Sequence, residues 1–180
     1  MKNLKKKIKN KKFINIFLIT CFFSFICNAE ETKTISGKAQ VIDGDTIKIQ
    51  DISVRLFGID APEKKQICTF ESQPYKCGLE SSQFLKKIIE SSSYVDCSYR
   101  DFDRYKRIIG ECVSHNKIVN KKTTESLNLN YLMVRNGHAI DYRRYSKGKF
   151  SLAESLAKKE KKGIWRGKFE KPENWRRKYK

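Results

Sequence analysis

The chain has 180 residues, which suits one domain and leaves no room for a second sizeable core. Lys and Arg number 39 against 20 Asp and Glu, for a formal charge of +19. An excess of that size bears on partners and favours a polyanion, either nucleic acid or an anionic membrane surface; solubility alone is the plainer reading.

Met1 to Lys12 carries seven lysines and no acid. Phe13 to Cys27 is apolar apart from Asn15, Thr20 and Ser24, and Asn28-Ala29 then precedes Glu30-Glu31. A basic start, an apolar stretch and a small residue before an acidic pair make a signal peptide the expectation for residues 1–29, cut after Ala29. The stretch falls short of the roughly 20 residues of a membrane span. An uncleaved anchor is the alternative; lipidation at Cys21 or Cys27 fits less well, because Thr20 and Ile26 precede them. The expected product is exported, to a periplasm or the medium, as one domain over 30–180 with a basic tail over 166–180. It keeps a charge of +12, and Asp141–Lys180 holds fifteen of its basic residues against five acidic ones.

Ile35 to Gln50 alternates through Val41, Ile47 and Ile49, with Asp43-Gly44-Asp45 as a turn, and reads as a hairpin or bulged strand pair. In Ile52 to Phe57, period two puts Val54 and Leu56 on one face and Arg55 on the other, before Gly58 ends the strand. Cys68–Gly78 reads as a loop. Leu79–Glu90 turns to helical spacing, with Leu85, Ile88 and Ile89 on one face. Tyr94–Tyr99 and Arg107–Val113 read as strands joined by a charged turn. His115–Glu125 is polar and lysine-rich, a surface loop. Ser126–Asn136 reads as a helix with Leu129, Leu132 and Met133 inward, closed by Asn136-Gly137. Ser151 and Glu154 have capping-box spacing and open a third helix with Leu152, Leu156 and Ala157 inward, stopped by Gly163. The remainder, to Trp175-Arg176-Arg177, reads as a tail. Five short strands with helices among and after them suggest an α+β protein built on a small OB-type β-barrel.

Without the leader, Cys68, Cys77, Cys97 and Cys112 remain, and an even count in an exported chain suggests two disulfides. Of three possible pairings, Cys68–Cys77 closes a short loop and Cys97–Cys112 bridges neighbouring strands. A zinc site competes, but there is no Cys-x-x-Cys pair, and His115 and His138 lack ligand spacing.

Phosphodiesters resist hydrolysis because their charge repels the nucleophile and the leaving alkoxide is poor. A protein helps by holding a cation against the phosphoryl oxygens, by donating to the charge that builds there and by taking a proton from water. Asp45 and Asp60 suit the first role, as oxygen donors to a hard cation such as Ca²⁺. Arg55 and Arg107 suit the second, through a guanidinium fork that stays charged. Glu63, directed by Pro62, suits the third as a base. Tyr105, between Arg104 and Lys106, suits contact with a base or phosphate. Each also has a plainer reading: turn residues for Asp43-Gly44-Asp45 and Pro62-Glu63, solvated charges for the arginines.

Taken together, these residues resemble the staphylococcal nuclease family. The resemblance runs through Val41–Ile47, Val54–Glu63, Asp103–Arg107, Leu132–Ala139 and Gly163–Trp165, covering about Thr34 to Trp165. It implies a five-stranded OB-fold with three helices and Ca²⁺-dependent cleavage of DNA and RNA. It further implies that Asp45 and Asp60 hold the metal with the Ala61 carbonyl, and that Asp43 is an acidic neighbour. Glu63 would then assist water, Arg55 and Arg107 bind phosphate, and Tyr105 and Arg104 contact the nucleotide. Ala61 replaces a threonine, Lys106 a common glycine, and the loop between Cys68 and Cys77 is long and cross-linked. Tyr142 and Tyr145 are candidates for a second nucleotide contact.

The leading expectation is an exported, monomeric, Ca²⁺-dependent nuclease with little base preference. A binding module without catalysis is the alternative, since OB barrels often hold single strands. A membrane-attached basic protein is another.

Overall fold

The computed structural model describes residues 31–116 and 126–179. The expected signal segment and most of the expected loop His115–Glu125 lie outside them.

Eleven strands form among the described residues: β1 (Lys33–Gly37), β2 (Ala39–Val41), β3 (Thr46–Ile49), β4 (Ile52–Leu56), β5 (Ile59–Asp60), β6 (Cys68–Phe70), β7 (Gln73–Tyr75), β8 (Ser92–Phe102), β9 (Ile108–Asn116), β10 (Ser126–Asn128) and β11 (Ile140–Asp141). Five α-helices accompany them: α1 (Cys77–Glu90), α2 (Leu129–Arg135), α3 (Arg143–Ser146), α4 (Ser151–Lys159) and α5 (Pro172–Tyr179), with a 3-10 turn at Gly163–Arg166.

The main sheet runs β1-β8-β9-β4-β3-β2, with β10 beside β9. Only β4 and β9 pair in parallel; the other neighbours are antiparallel. Its two margins, β1 and β2, are one stretch of chain interrupted at Lys38, so a single bent strand supplies both ends and the sheet curls round. Counted that way, five long strands make the curled sheet expected of an OB-fold, in a mixed α+β protein.

Strand alternation supplies the core. Ile47, Ile49, Val54, Leu56, Val95 and Ile108 point inward and are almost wholly buried. Leu85 of α1 and Leu129, Met133 and Val134 of α2 close over them. Each such side chain contributes about 1.5–3 kcal/mol by leaving water. Cys97 lies opposite Cys112 in the β8–β9 register, and the two are bonded across it; Cys68 and Cys77 form the second disulfide. With both bonds made, no thiolate of the four is free to hold zinc.

Several local expectations need correction. Cys68–Gly78 is not plain loop but carries the hairpin β6–β7, and α1 already starts at Cys77. The helix expected from Ser126 starts at Leu129, because Ser126–Asn128 pairs with β9 and the Asn128 side chain accepts the Tyr131 N–H at 2.8 Å. Leu152 is 75% exposed, and the inward face of α4 is Ala153 and Ala157. No capping box forms. Ser151 Oγ bonds Asp141 and Gly148, and Glu154 turns inward to accept the Asp141 N–H at 3.2 Å. Tertiary partners outcompeted the local cap. The expected tail is helical over Pro172–Tyr179. With α3, it brings the helices among the described residues to five, above the three expected.

Candidate active site

Asp45 leaves a turn pressed between α1 and the loop after β5. A Cβ on Gly44 would stand 2.3 Å from Ser81 Oγ and 2.7 Å from Ala61 Cβ, so only glycine lets the turn seat there. Asp43 Oδ1 accepts the Asp45 N–H at 3.0 Å and fixes the turn. Asp45 Oδ1 accepts from Thr46 Oγ1 at 3.0 Å and from Arg55 Nη1 at 2.8 Å, while Oδ2 accepts the Ala61 N–H at 3.1 Å.

Asp60 sits on β5, opposite Ile140 of β11, and its side chain is fully buried. Its Oδ1 accepts from Arg55 Nη2 at 3.1 Å. Arg55 stands on β4 facing away from Val54 and Leu56, as period two requires. Its fork therefore joins two aspartates fifteen residues apart in sequence.

Glu63 lies on the loop after β5, and the N-terminus of α1 packs on its backbone. A Cβ on Gly78 would meet Glu63 O at 1.7 Å. The Glu63 N–H donates to Gln66 Oε1 at 3.2 Å. Its carboxylate accepts from Arg176 Nη1 at 2.9 Å. The same guanidinium reaches Asp60 through Nη1 at 2.9 Å and Nη2 at 3.1 Å.

Arg107 sits at the end of the β8–β9 turn and binds Asp103 twice, at 2.7 Å through Nε and 2.6 Å through Nη2. Asp103 also accepts the backbone N–H groups of Tyr105 and Arg107. Tyr105 is 60% exposed, with the Arg104 and Arg107 guanidinium groups 4.9 and 5.5 Å from its ring centre. No direct bond links this turn to the aspartates, but the turn and Asp45 line one open cavity of about 900 Å³; Asp60, fully buried, is not on its wall. Asp43, Asp45, Arg55, Ala61, Glu63, Arg104, Tyr105 and Arg107 border it, and so do Tyr142, Tyr145 and Arg176.

The charges are under mutual stress. Burial, then the Asp45 charge, raises the Asp43 carboxyl to about 6. Burial also raises Asp60, against the pull of Arg176 and Arg55. Burial works against the Arg55 cation, yet Asp45 and Asp60 raise its pKa overall. Arg176 follows the same pattern with Asp60 and Glu63. For Asp103, burial is outweighed by its bonds to Arg107 and Tyr105, which hold it below the usual range.

Among the described residues, no three His, Cys, Asp or Glu side chains cluster to hold a cation unaided. Asp45 and Asp60 nevertheless present oxygen donors to the same guanidinium, at 2.8 and 3.1 Å. Two carboxylates completed by carbonyl and water oxygens suit a hard cation such as Ca²⁺, and the set has no soft donor.

The family described as staphylococcal nuclease homologue matches residues 53–167. The chain belongs to the staphylococcal nuclease family. It is 34% identical to the succinoglycan biosynthesis protein ExoI of Rhizobium meliloti over 77% of this chain and 69% of that one. An uncharacterized endonuclease of Escherichia coli is 29% identical over 86% of this chain and 90% of its own. The micrococcal nuclease of Shigella flexneri is 30% identical over 77% of this chain and 78% of its own.

Sequence reasoning for this family member missed Arg176, which lies beyond the matched residues. A signal was present. Pro172-Glu173 is a helix start, with Pro in the first turn and an acid beside it. It shows that the tail forms a helix, though not where that helix docks.

Proposed function

We propose that this protein is an exported, Ca²⁺-dependent nuclease that hydrolyses phosphodiester bonds of DNA and RNA with little sequence preference. The observation that carries the reading is the convergence of Asp45, Arg55, Glu63 and Arg107 on one open cavity, with the buried Asp60 bonded to Arg55 of its wall. The nuclease names of several relatives support it.

Asp45 and Asp60 would hold Ca²⁺, with the Ala61 carbonyl as a further oxygen donor and Asp43 adding negative charge nearby. When bound, Ca²⁺ supplies positive charge against the phosphoryl oxygens. Arg55, fixed between the aspartates, presents its guanidinium at the cavity wall. Arg107 is oriented by Asp103 and grips a phosphate oxygen pair. Glu63 takes the proton of the attacking water as the new P–O bond forms; the P–O bond to the leaving sugar oxygen breaks, and that alkoxide takes a proton from solvent. Tyr105, with Arg104 and Arg107 near its ring, offers an exposed face to a base or terminal phosphate. Contacts to phosphate and sugar carry no sequence information directly, which accounts for the low base preference.

Export rests on the basic and apolar leader over residues 1–29, and the two disulfides suit an oxidising compartment. A monomer is the working state.

The test is digestion of plasmid DNA and of a long RNA by residues 30–180, with Ca²⁺ or with a chelator. Both polymers shorten with Ca²⁺ and stay whole with the chelator. Polymers left whole but bound in Ca²⁺ would favour a binding module instead.

A further inference from the structure

The last helix reaches back into the site. Residues 166–171 are pinned as a strap on the β6–β7 hairpin: Thr69 and Lys168 exchange backbone bonds at 2.9 and 2.8 Å. Gln66 Nε2 donates to Glu170 O at 2.7 Å. The hairpin is itself closed by Cys68–Cys77. Pro172 is buried at the end of the strap. From there α5 meets the barrel through few polar contacts. Arg144–Glu173 is one, at 3.9 Å between side chains 70% and 40% exposed, and such a pair contributes little. The strong attachment is Arg176, whose guanidinium is bound to Asp60 and Glu63 at once.

A divalent cation and this guanidinium address the same Asp60 oxygens. Arg55 also touches Asp60, but it stands on β4, hydrogen-bonded on both sides, and stays where it is. Arg176 is carried by a helix of eight residues with few other polar attachments, and can withdraw. Resting on the cation-dependent reading above, we propose that Arg176 is a third arginine of the active site, a positioning residue that competes with the cation for Asp60 and holds Glu63 until the cation binds. It thereby sets how much Ca²⁺ the enzyme requires. A unit positive charge a few ångströms from a dication opposes binding even at a surface-like dielectric, so removing it tightens Ca²⁺ by about tenfold or more. A residue with a merely structural role would leave that affinity unchanged or lower it.

The experiment is calorimetric titration of Ca²⁺ into residues 30–180 as wild type, Arg176→Gln and Arg176→Lys, with near-ultraviolet circular dichroism to confirm folding. Arg176→Gln binds about tenfold or more tighter than wild type, while Arg176→Lys, which keeps the charge, stays within about threefold. Equal or weaker binding by folded Arg176→Gln overturns the proposal. Should that variant not fold, amide exchange in wild type decides. Saturating Ca²⁺ speeds exchange in Pro172–Tyr179, and unchanged exchange there overturns the proposal. A wild type that neither binds Ca²⁺ nor cleaves removes the nuclease reading and this one with it. A wild type that binds and cleaves, beside a folded Arg176→Gln of wild-type affinity, removes only this one.

Discussion

Arg176 is 113 residues from Glu63 along the chain and donates to its carboxylate at 2.9 Å. That contact joins the final helix to the loop after β5. The wall of the cavity is thus assembled from elements far apart in the chain.

Arg55 neutralises two buried carboxylates, and its removal should be costly. Arg55→Gln leaves Asp45 and Asp60 facing each other with less positive charge between them. Breaking a buried pair from one side costs about 3–5 kcal/mol, and the half-open site places the expected loss near about 3 kcal/mol in urea unfolding. Added Ca²⁺ should recover part of it. A loss under about 1 kcal/mol, unaffected by Ca²⁺, would mean that the aspartates do not depend on this guanidinium.

The Cys68–Cys77 bond closes a loop of nine residues' separation, which corresponds to about 2–3 kcal/mol by chain entropy. The double variant Cys68→Ser/Cys77→Ser should unfold at correspondingly lower denaturant. It should also expose the strap, so limited proteolysis should cut first between Gly167 and Lys171. First cleavage elsewhere, at an unchanged rate for this segment, would disconnect the hairpin from the strap.

His138 stacks on Phe84 with ring centres 4.2 Å apart, and burial, helped by Arg166, lowers its pKa from 6.5 to about 4. The unfolded chain therefore binds a proton near pH 6.5 that the folded chain refuses until about pH 4. Stability from this group is complete above the unfolded value and is lost as pH falls through that window. Asp43, raised to about 6, acts in the opposite sense as pH falls, so the comparison must be between variants. His138→Gln should show a shallower acid loss than wild type between pH 7 and 4.5 in urea midpoints. Parallel curves would contradict the assignment.

Arg144 and Arg177 border the cavity without bonding the aspartates. If they meet phosphate, binding of a single-stranded oligonucleotide should weaken with salt through counterion release. Arg144→Gln and Arg177→Gln should each lower the slope of log K against log salt by about one or less. An unchanged slope would place the substrate track elsewhere.

Much of the site was legible in the sequence. Period two alone put Arg55 on the face opposite Val54 and Leu56, and the glycine between Asp43 and Asp45 marked the turn that seats Asp45. Those signals are local. The capping box at Ser151 was local too and failed, because Asp141 offered Ser151 a tertiary partner and took Glu154 inward. The start of α2 slipped for the same reason: Ser126–Asn128 found a strand to pair with. Arg176 was out of reach, since no periodicity encodes where a terminal helix docks, only that Pro172-Glu173 begins one. The roles given to Asp45, Asp60, Glu63, Arg55 and Arg107 draw on resemblance as well as spacing, and kinetics decides them.

The most direct measurement is single-turnover cleavage of a labelled DNA strand at saturating Ca²⁺, by wild type, Glu63→Ala and Arg107→Ala. Loss of the base should slow cleavage about 10²–10⁴-fold, and loss of the phosphate-binding arginine by a comparable factor, with both variants folded. Cleavage within about threefold of wild type in either folded variant would contradict an active site built on this cavity.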